Sequence, residues 1–274
     1  MELLKTEHSK NKGFGKLDKV LLKCNEPNFY ELVEFLYVSQ NLQAVVLKAL
    51  YYNRIDVVLK FGILESITKE YNISNELLEM PNFIKYFCMI GCNDDIKNIT
   101  FNKDAISEYK MCQYGNNQIG ILVMKHYYLG SIENYSWNKN NFDLLKNVMK
   151  QVVFSVLLAY NKKGFIHGDL HSGNVLLKPK KNSEINYGDK ILIPHELEVV
   201  IMDFEKSKLG QNDKSIELIR NIIKFINGIV DSNKIAININ YDRNKLIALK
   251  SSFLDNSNYF CKIESIIDNM YVYD

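Results

Sequence analysis

Apolar residues recur at helical spacing through residues 142–163, where Leu145, Val148, Met149, Val152, Val153, Val156 and Leu157 share one side of a 3.6-residue period. The pattern predicts one long amphipathic helix, stopped at Gly164. Earlier in the chain the runs are shorter. Residues 44–49 and 57–61 are rich in β-branched side chains and separated by a polar turn around Asn53 and Arg54, which predicts an antiparallel pair. Residues 29–37 mix apolar and acidic positions and lead towards a strand. Residues 83–90 and 119–124 predict two further strands. Residues 65–78 carry Ile67, Tyr71, Leu77 and Leu78 at helical spacing, ended by Met80-Pro81-Asn82 because the residue before proline avoids the α region. The polar excursion over residues 93–117 fits no element. Beyond the long helix, residues 175–177 and 199–202 predict strands, residues 215–229 a helix, and residues 246–270 a helical tail.

A β-rich half followed by a helix-rich half predicts an α+β chain of two lobes with a cleft between them. The boundaries drawn from the pattern are a basic tail over 1–28, a first lobe over 29–128 and a second over 129–274. At 274 residues the chain is long enough for one such domain with a sizeable core.

Charge changes this picture little. A formal net charge of +2 argues for neither a nucleic acid nor a membrane surface as partner. The lysines at 5, 10, 12, 16, 19 and 23 read as a solvated tail, with a docking arm as the alternative. No apolar core follows them of the kind a signal peptide needs, and no run reaches the length of a membrane span. The cysteines, Cys24, Cys88, Cys92, Cys112 and Cys261, are odd in number and irregular in spacing. They read as core thiols of a reducing compartment, the cytoplasm, rather than a disulfide framework.

Chemistry concentrates in Ile166-His167-Gly168-Asp169-Leu170-His171-Ser172-Gly173-Asn174-Val175-Leu176-Leu177 and in Val199-Val200-Ile201-Met202-Asp203-Phe204-Glu205. Asp169 leaves the long helix on a loop, where a carboxylate can accept the proton of an attacking hydroxyl. Asn174, five residues on, offers a neutral oxygen, and Asp203 ends an apolar strand with a full negative charge. Hard oxygens of this kind suit Mg²⁺ when phosphates complete the shell. An acid at the end of an apolar strand is costly to desolvate without a cation near it.

These two segments resemble the catalytic and metal loops of the protein-kinase-like fold. The resemblance implies that Asp169 is the catalytic carboxylate, that Asn174 and Asp203 hold Mg²⁺, and that His167 packs beside Phe204. His171 reads either as a local hydrogen-bonding residue or as part of the phosphate region. Upstream, Val57-Val58-Leu59-Lys60 is similar to the strand whose lysine holds the α- and β-phosphates of ATP. Pro81-Asn82-Phe83-Ile84-Lys85 is similar to the start of the fourth strand; counting back from it lands on Tyr71, and the adjacent Glu70 is the expected partner of Lys60, with Glu65 and Glu76 as alternatives. Residues 44–49, Ala-Val-Val-Leu-Lys-Ala, align with the end of the nucleotide loop. Its three glycine positions then fall on Ser39, Asn41 and Ala44, none of them glycine, with Val46 beside the nucleotide. Lys125-His126-Tyr127-Tyr128-Leu129-Gly130-Ser131-Ile132 resembles the hinge, and His126, Tyr127 and Tyr128 would contact adenine. The resemblance runs in order from about Tyr37 to about Ser207.

Within the family two relatives compete. Glu205, in place of the glycine of Asp-Phe-Gly, is similar to choline- or aminoglycoside-type small-molecule kinases. The short span from Gly130 to His167 and the strand lysine resemble protein kinases. Gly168 replaces the arginine that would receive an activation-loop phosphate, Asp213 stands where the next helix would be anchored, and no Ala-Pro-Glu motif follows. The expectation is therefore a compact, atypical serine/threonine protein kinase using ATP and Mg²⁺, with a protein substrate and an undetermined oligomeric state. A small-molecule kinase and a nucleotide-binding pseudokinase are the alternatives. The polar extension over residues 178–197 resembles kinase-like proteins of large DNA viruses.

Overall fold

Strand β3 (Ile55–Ile63) is the middle of the first half, and its alternation sets the layout. Val57, Leu59 and Phe61 face one apolar cluster together with Val45, Leu47, Ile121 and Val123. Val58 faces the other, larger cluster, and the two-residue period puts Lys60 on that same side. The computed structural model describes residues 30–38, 44–51, 55–91, 113–114, 117–211, 214–233, 235, 239–242, 244–245 and 259–272.

The first half is an antiparallel sheet of β1 (Tyr30–Val38), β2 (Ala44–Tyr51), β3, β4 (Cys88–Gly91), β5 (Gln113–Tyr114) and β6 (Asn117–Lys125). The order across it is β1-β2-β3-β6-β4, with β5 pairing β6. Val46 of β2 and Leu122 of β6 stand directly across from Lys60 on either side. Helix α1 (Leu64–Glu76) follows β3 without a loop and packs its buried positions, Ile67, Glu70, Ile73 and Ser74, inward.

The second half is built on helix α2 (Phe142–Lys163), which ends at Gly164 in the left-handed conformation as the sequence predicts. It is more than an amphipathic surface helix: every residue from Gln151 to Tyr160 is buried. The polar members of that run grip a strand. Gln151 Nε2 donates to Leu197 O at 2.8 Å, and its Oε1 accepts from Val199 N at 3.1 Å. These bonds fix β10 (Leu197–Ile201), which pairs antiparallel with β7 (Val175–Pro179). The long connection between them carries the small hairpin β8 (Ile185–Asn186) and β9 (Ile191–Leu192). Its base is held by buried Glu198, which accepts from Lys181 N and Asn182 N and pairs with Lys178 at 3.0 Å. Helix α3 (Ser215–Val230), β11 (Ile239–Asn240), α4 (Tyr259–Asp268) and β12 (Tyr271–Val272) complete the described chain.

Three expectations are corrected. The strand predicted over 83–90 shrinks to β4, because its first residues pair elsewhere. Ile201 N donates to Asn82 O at 2.7 Å and Ile84 N donates to Ile201 O at 2.9 Å, so this stretch is drawn onto the end of β10. Asn82 takes a positive φ of 66° to make that turn. Residues 29–37 do not merely lead to a strand; β1 occupies almost all of them. Cys88, on the edge strand β4, is disulfide-bonded rather than a core thiol. The residues of the expected helical tail before Tyr259, and Asp213, lie outside the described residues, as does the basic tail. No helix among the described residues is long and apolar enough to cross a membrane.

Candidate active site

Lys60 lies between two carboxylates from distant parts of the chain. Its Nζ donates to Glu70 Oε2 at 2.7 Å and to Asp203 Oδ1 at 2.6 Å. β3 delivers the lysine, α1 the glutamate, and the exit of β10 the aspartate. Of the three glutamates considered for the pairing, Glu70 is 1% exposed and faces Lys60. Glu65 is exposed, and Glu76 pairs with Lys163 at the surface. Tyr86 donates its hydroxyl to Glu70 Oε1, so both oxygens of this buried carboxylate are held. Burial works against the charge on Lys60, but Glu70 and Asp203 outweigh it and hold its pKa above the ordinary value. Burial likewise raises Asp203, and Lys60 more than reverses this, keeping the carboxyl below its usual range. Burial, with Glu70 behind it, pushes the Tyr86 phenol well up.

Asp203 has φ of 68°, a left-handed conformation uncommon for a side chain other than glycine. Strain of this kind, of order 1–3 kcal/mol, persists only where the surroundings enforce it. Here Met202 N donates to Asn174 O at 3.0 Å, and Phe204 is locked among Phe83, Phe165 and His167. The same Met202–Asn174 bond sets Asn174 beside Asp203. Asn174 Nδ2 donates to Asp169 O at 3.1 Å, which leaves its amide oxygen as the acceptor.

Asp169 stands on the loop after α2. His167, 1% exposed, holds it from behind. Because Met202 O can only accept, His167 Nε2 is the protonated nitrogen at 2.9 Å, and Nδ1 accepts the Asp169 N–H at 3.4 Å. Burial lowers the His167 pKa to about 4, so the ring is neutral. On its outer side the Asp169 carboxylate meets two lysines, Lys206 at 2.7 Å and Lys224 at 3.4 Å. Burial pushes Asp169 up, but the Lys206 hydrogen bond and charge outweigh it, and the carboxyl is held below its ordinary range.

Asn174 and Asp203 together supply one neutral and one charged hard oxygen donor. Among the described residues no group of three or more histidine, cysteine, aspartate or glutamate side chains could hold a metal ion by itself. One neutral amide oxygen and one carboxylate are donor types that a hard divalent cation accepts. His171 makes a local turn, accepting Gly173 N at 3.1 Å. Glu205 turns to α1, where Ser66 Oγ donates to its carboxylate at 3.3 Å and Lys69 Nζ donates to its carbonyl at 2.6 Å.

Val46 is half-buried opposite Lys60. Ala44 opens β2, whereas Ser39 and Asn41 lie outside the described residues. His126, Tyr127 and Tyr128 follow β6; Tyr128 is exposed, and the turn is tied to the second half where Leu177 N donates to Gly130 O at 2.8 Å. Sequence reasoning missed Tyr86, Lys206 and Lys224. Only Lys206 had a local signal, its place three residues after Asp203.

No protein-family model matches the chain. The chain is similar to a probable serine/threonine-protein kinase of Dictyostelium discoideum, with 30% identity over 108 residues, covering 34% of this chain and 9% of that protein. The chain thus matches only a small part of that relative's length. The relationship is kinase-like and confined to about a third of the chain.

Proposed function

We propose that the chain is a phosphotransferase of two-lobed, protein-kinase-like fold that moves the γ-phosphate of ATP to a serine or threonine hydroxyl of a protein. The observation that carries this reading is Lys60, bonded at once to Glu70 and to Asp203 across 143 positions of sequence. A lysine braced by a buried glutamate and set against an acid at a strand exit is suited to hold a triphosphate beside a cation.

In this reading the adenine lies against the backbone of His126, Tyr127 and Tyr128, with Val46 over it and Ser39, Asn41 and Ala44 beside the phosphates. Lys60 holds the α- and β-phosphates, and Glu70 keeps its ammonium in place. Asn174 and Asp203 would hold Mg²⁺, which would supply charge neutralisation to the bound phosphates. Asp169 orients the acceptor hydroxyl and takes its proton. The acceptor oxygen forms a bond to the γ-phosphorus as the bond to the β-phosphate oxygen breaks, and ADP leaves. His167 positions Asp169 through its backbone N–H.

Radiolabelled ATP with Mg²⁺, offered to mixed protein acceptors and separately to choline-like and aminoglycoside alcohols, tests this function. Label on protein, abolished by Asp169→Asn, is the expected result. Label on a small alcohol alone supports the small-molecule reading that Glu205 suggests. Nucleotide binding without transfer to any acceptor overturns the enzyme reading in favour of a pseudokinase.

A further inference from the structure

A strip of cations leads away from Asp169 along α3. Lys206 and Lys224 each reach an oxygen of that carboxylate, yet each lysine side chain is 66% exposed, so both ammonium groups stand at the mouth of the site. Lys224 also lines a shallow, open groove along the face of α3, with Arg220, Ile223, Asn227, Gly228 and Asp231. These positions repeat every three or four residues and form one face of the helix. Ile223 is buried at its floor, and Gly228 adds no side chain to obstruct it. Asn227 is fixed by the Tyr241 hydroxyl, which donates to its Oδ1.

The charges around this groove are unequal along its length. Lys224 reaches Asp169 and Lys206 joins it from the loop after Asp203, while Arg220 lies one helical turn before Lys224. Asp231 stands at the far end, as the C-cap of α3. Glu217, one turn before the groove, faces Lys208 at 3.4 Å. The end nearest the reacting carboxylate is therefore cationic.

Building on the phosphotransfer reading, we propose that this groove docks the acceptor polypeptide and selects an acidic segment, with aspartate or glutamate flanking the hydroxyl to be phosphorylated. Lys206 and Lys224 hold both oxygens of Asp169. A carboxylate on the incoming segment competes for the same ammonium groups and leaves Asp169 available to the hydroxyl. A basic segment is repelled by the strip and leaves both lysines on Asp169.

The test uses the full chain and three fluorescein-labelled peptides of equal length, each with one serine, flanked by glutamate, glutamine or lysine. Binding is read by anisotropy, and kcat/KM is read with Mg-ATP. Two or three exposed charge contacts predict that the acidic peptide binds on the order of tenfold more tightly than the basic one. High salt should erase that preference. Arg220→Glu and Lys224→Glu, each shown by circular dichroism to be folded, should abolish or invert it, with the change in KM for peptide rather than for ATP. Equal binding of all three peptides, or a preference that survives both charge reversals, overturns the inference. The two readings fail separately. Selective binding of the acidic peptide with no phosphate moved to it keeps the docking site and removes the transferase. Transfer at equal kcat/KM to every peptide does the opposite.

Discussion

A β-carbon added to Gly168 would lie 2.4 Å from the carbonyl oxygen of Lys206. The two segments are stitched together there. Ile166 and Lys208 exchange both backbone hydrogen bonds at 2.9 Å, and Ser207 Oγ donates to His167 O at 2.8 Å. A side chain at position 168 has to displace the Lys206 backbone, so this local geometry disfavours an arginine there. The stitch instead delivers Lys206 to Asp169.

Gly168→Ala meets both this contact and a φ of 79°. The expected cost is about 2–5 kcal/mol, the sum of left-handed strain and overpacking against backbone. Gly210→Ala is the control: its φ is 70° with nothing within 4 Å of the added carbon, so about 1–2 kcal/mol is expected. Denaturant unfolding of the two variants should rank them in that order.

His167 makes stability depend on pH. Its folded pKa of about 4 lies below the ordinary value of 6.5, through burial. The unfolded chain therefore binds more protons in that interval, and stability falls as pH is lowered from 6.5 towards 4. The full effect is on the order of 3 kcal/mol. His167→Gln should show a shallower loss between pH 7 and pH 5, read as the unfolding midpoint in urea.

Lys206 holds the Asp169 pKa down, so Lys206→Met should raise it. In a transfer assay the acid limb of the rate profile then moves to higher pH. An unmoved acid limb would show that Lys206 does not tune the carboxylate.

Asn82 combines a positive φ with two side-chain bonds, from Nδ2 to Ser155 Oγ at 3.1 Å and to the Tyr187 hydroxyl at 2.5 Å. Its carbonyl also receives Ile201 N, so it ties the first half to the strand that ends at Asp203. Asn82→Ala should cost about 2–4 kcal/mol, from lost hydrogen bonds and a left-handed alanine. Thermal unfolding checks the direction, and Asn82→Gly should recover the backbone part alone.

Lys60 and Glu70 were legible through the family resemblance of their motifs, with Glu65 and Glu76 left open as alternatives, and Asp203 also through its place closing an apolar strand. The bounds of α2 were legible because 3.6-residue spacing and a terminal glycine mark both ends. Its burial on every side was not, because β10 supplies the partners of Gln151 and Asn82 that of Ser155, both from distant parts of the chain. The strand over 83–90 was overdrawn because the claim of Ile201 on its backbone is a long-range event. Tyr86, Lys206 and Lys224 escaped because their partners stand 16, 37 and 55 positions away. Pairings of that range leave no trace in local periodicity.

The account rests on Lys60 and Asp203 forming a site for a nucleotide and its cation. Calorimetric titration of ATP into the full chain, with Mg²⁺ and again with chelator, tests this most directly, alongside Asp203→Asn. The predicted result is tighter binding with Mg²⁺ in the native chain and no such gain in the variant. Binding of ATP that is equal with and without Mg²⁺, or undiminished in Asp203→Asn, contradicts it.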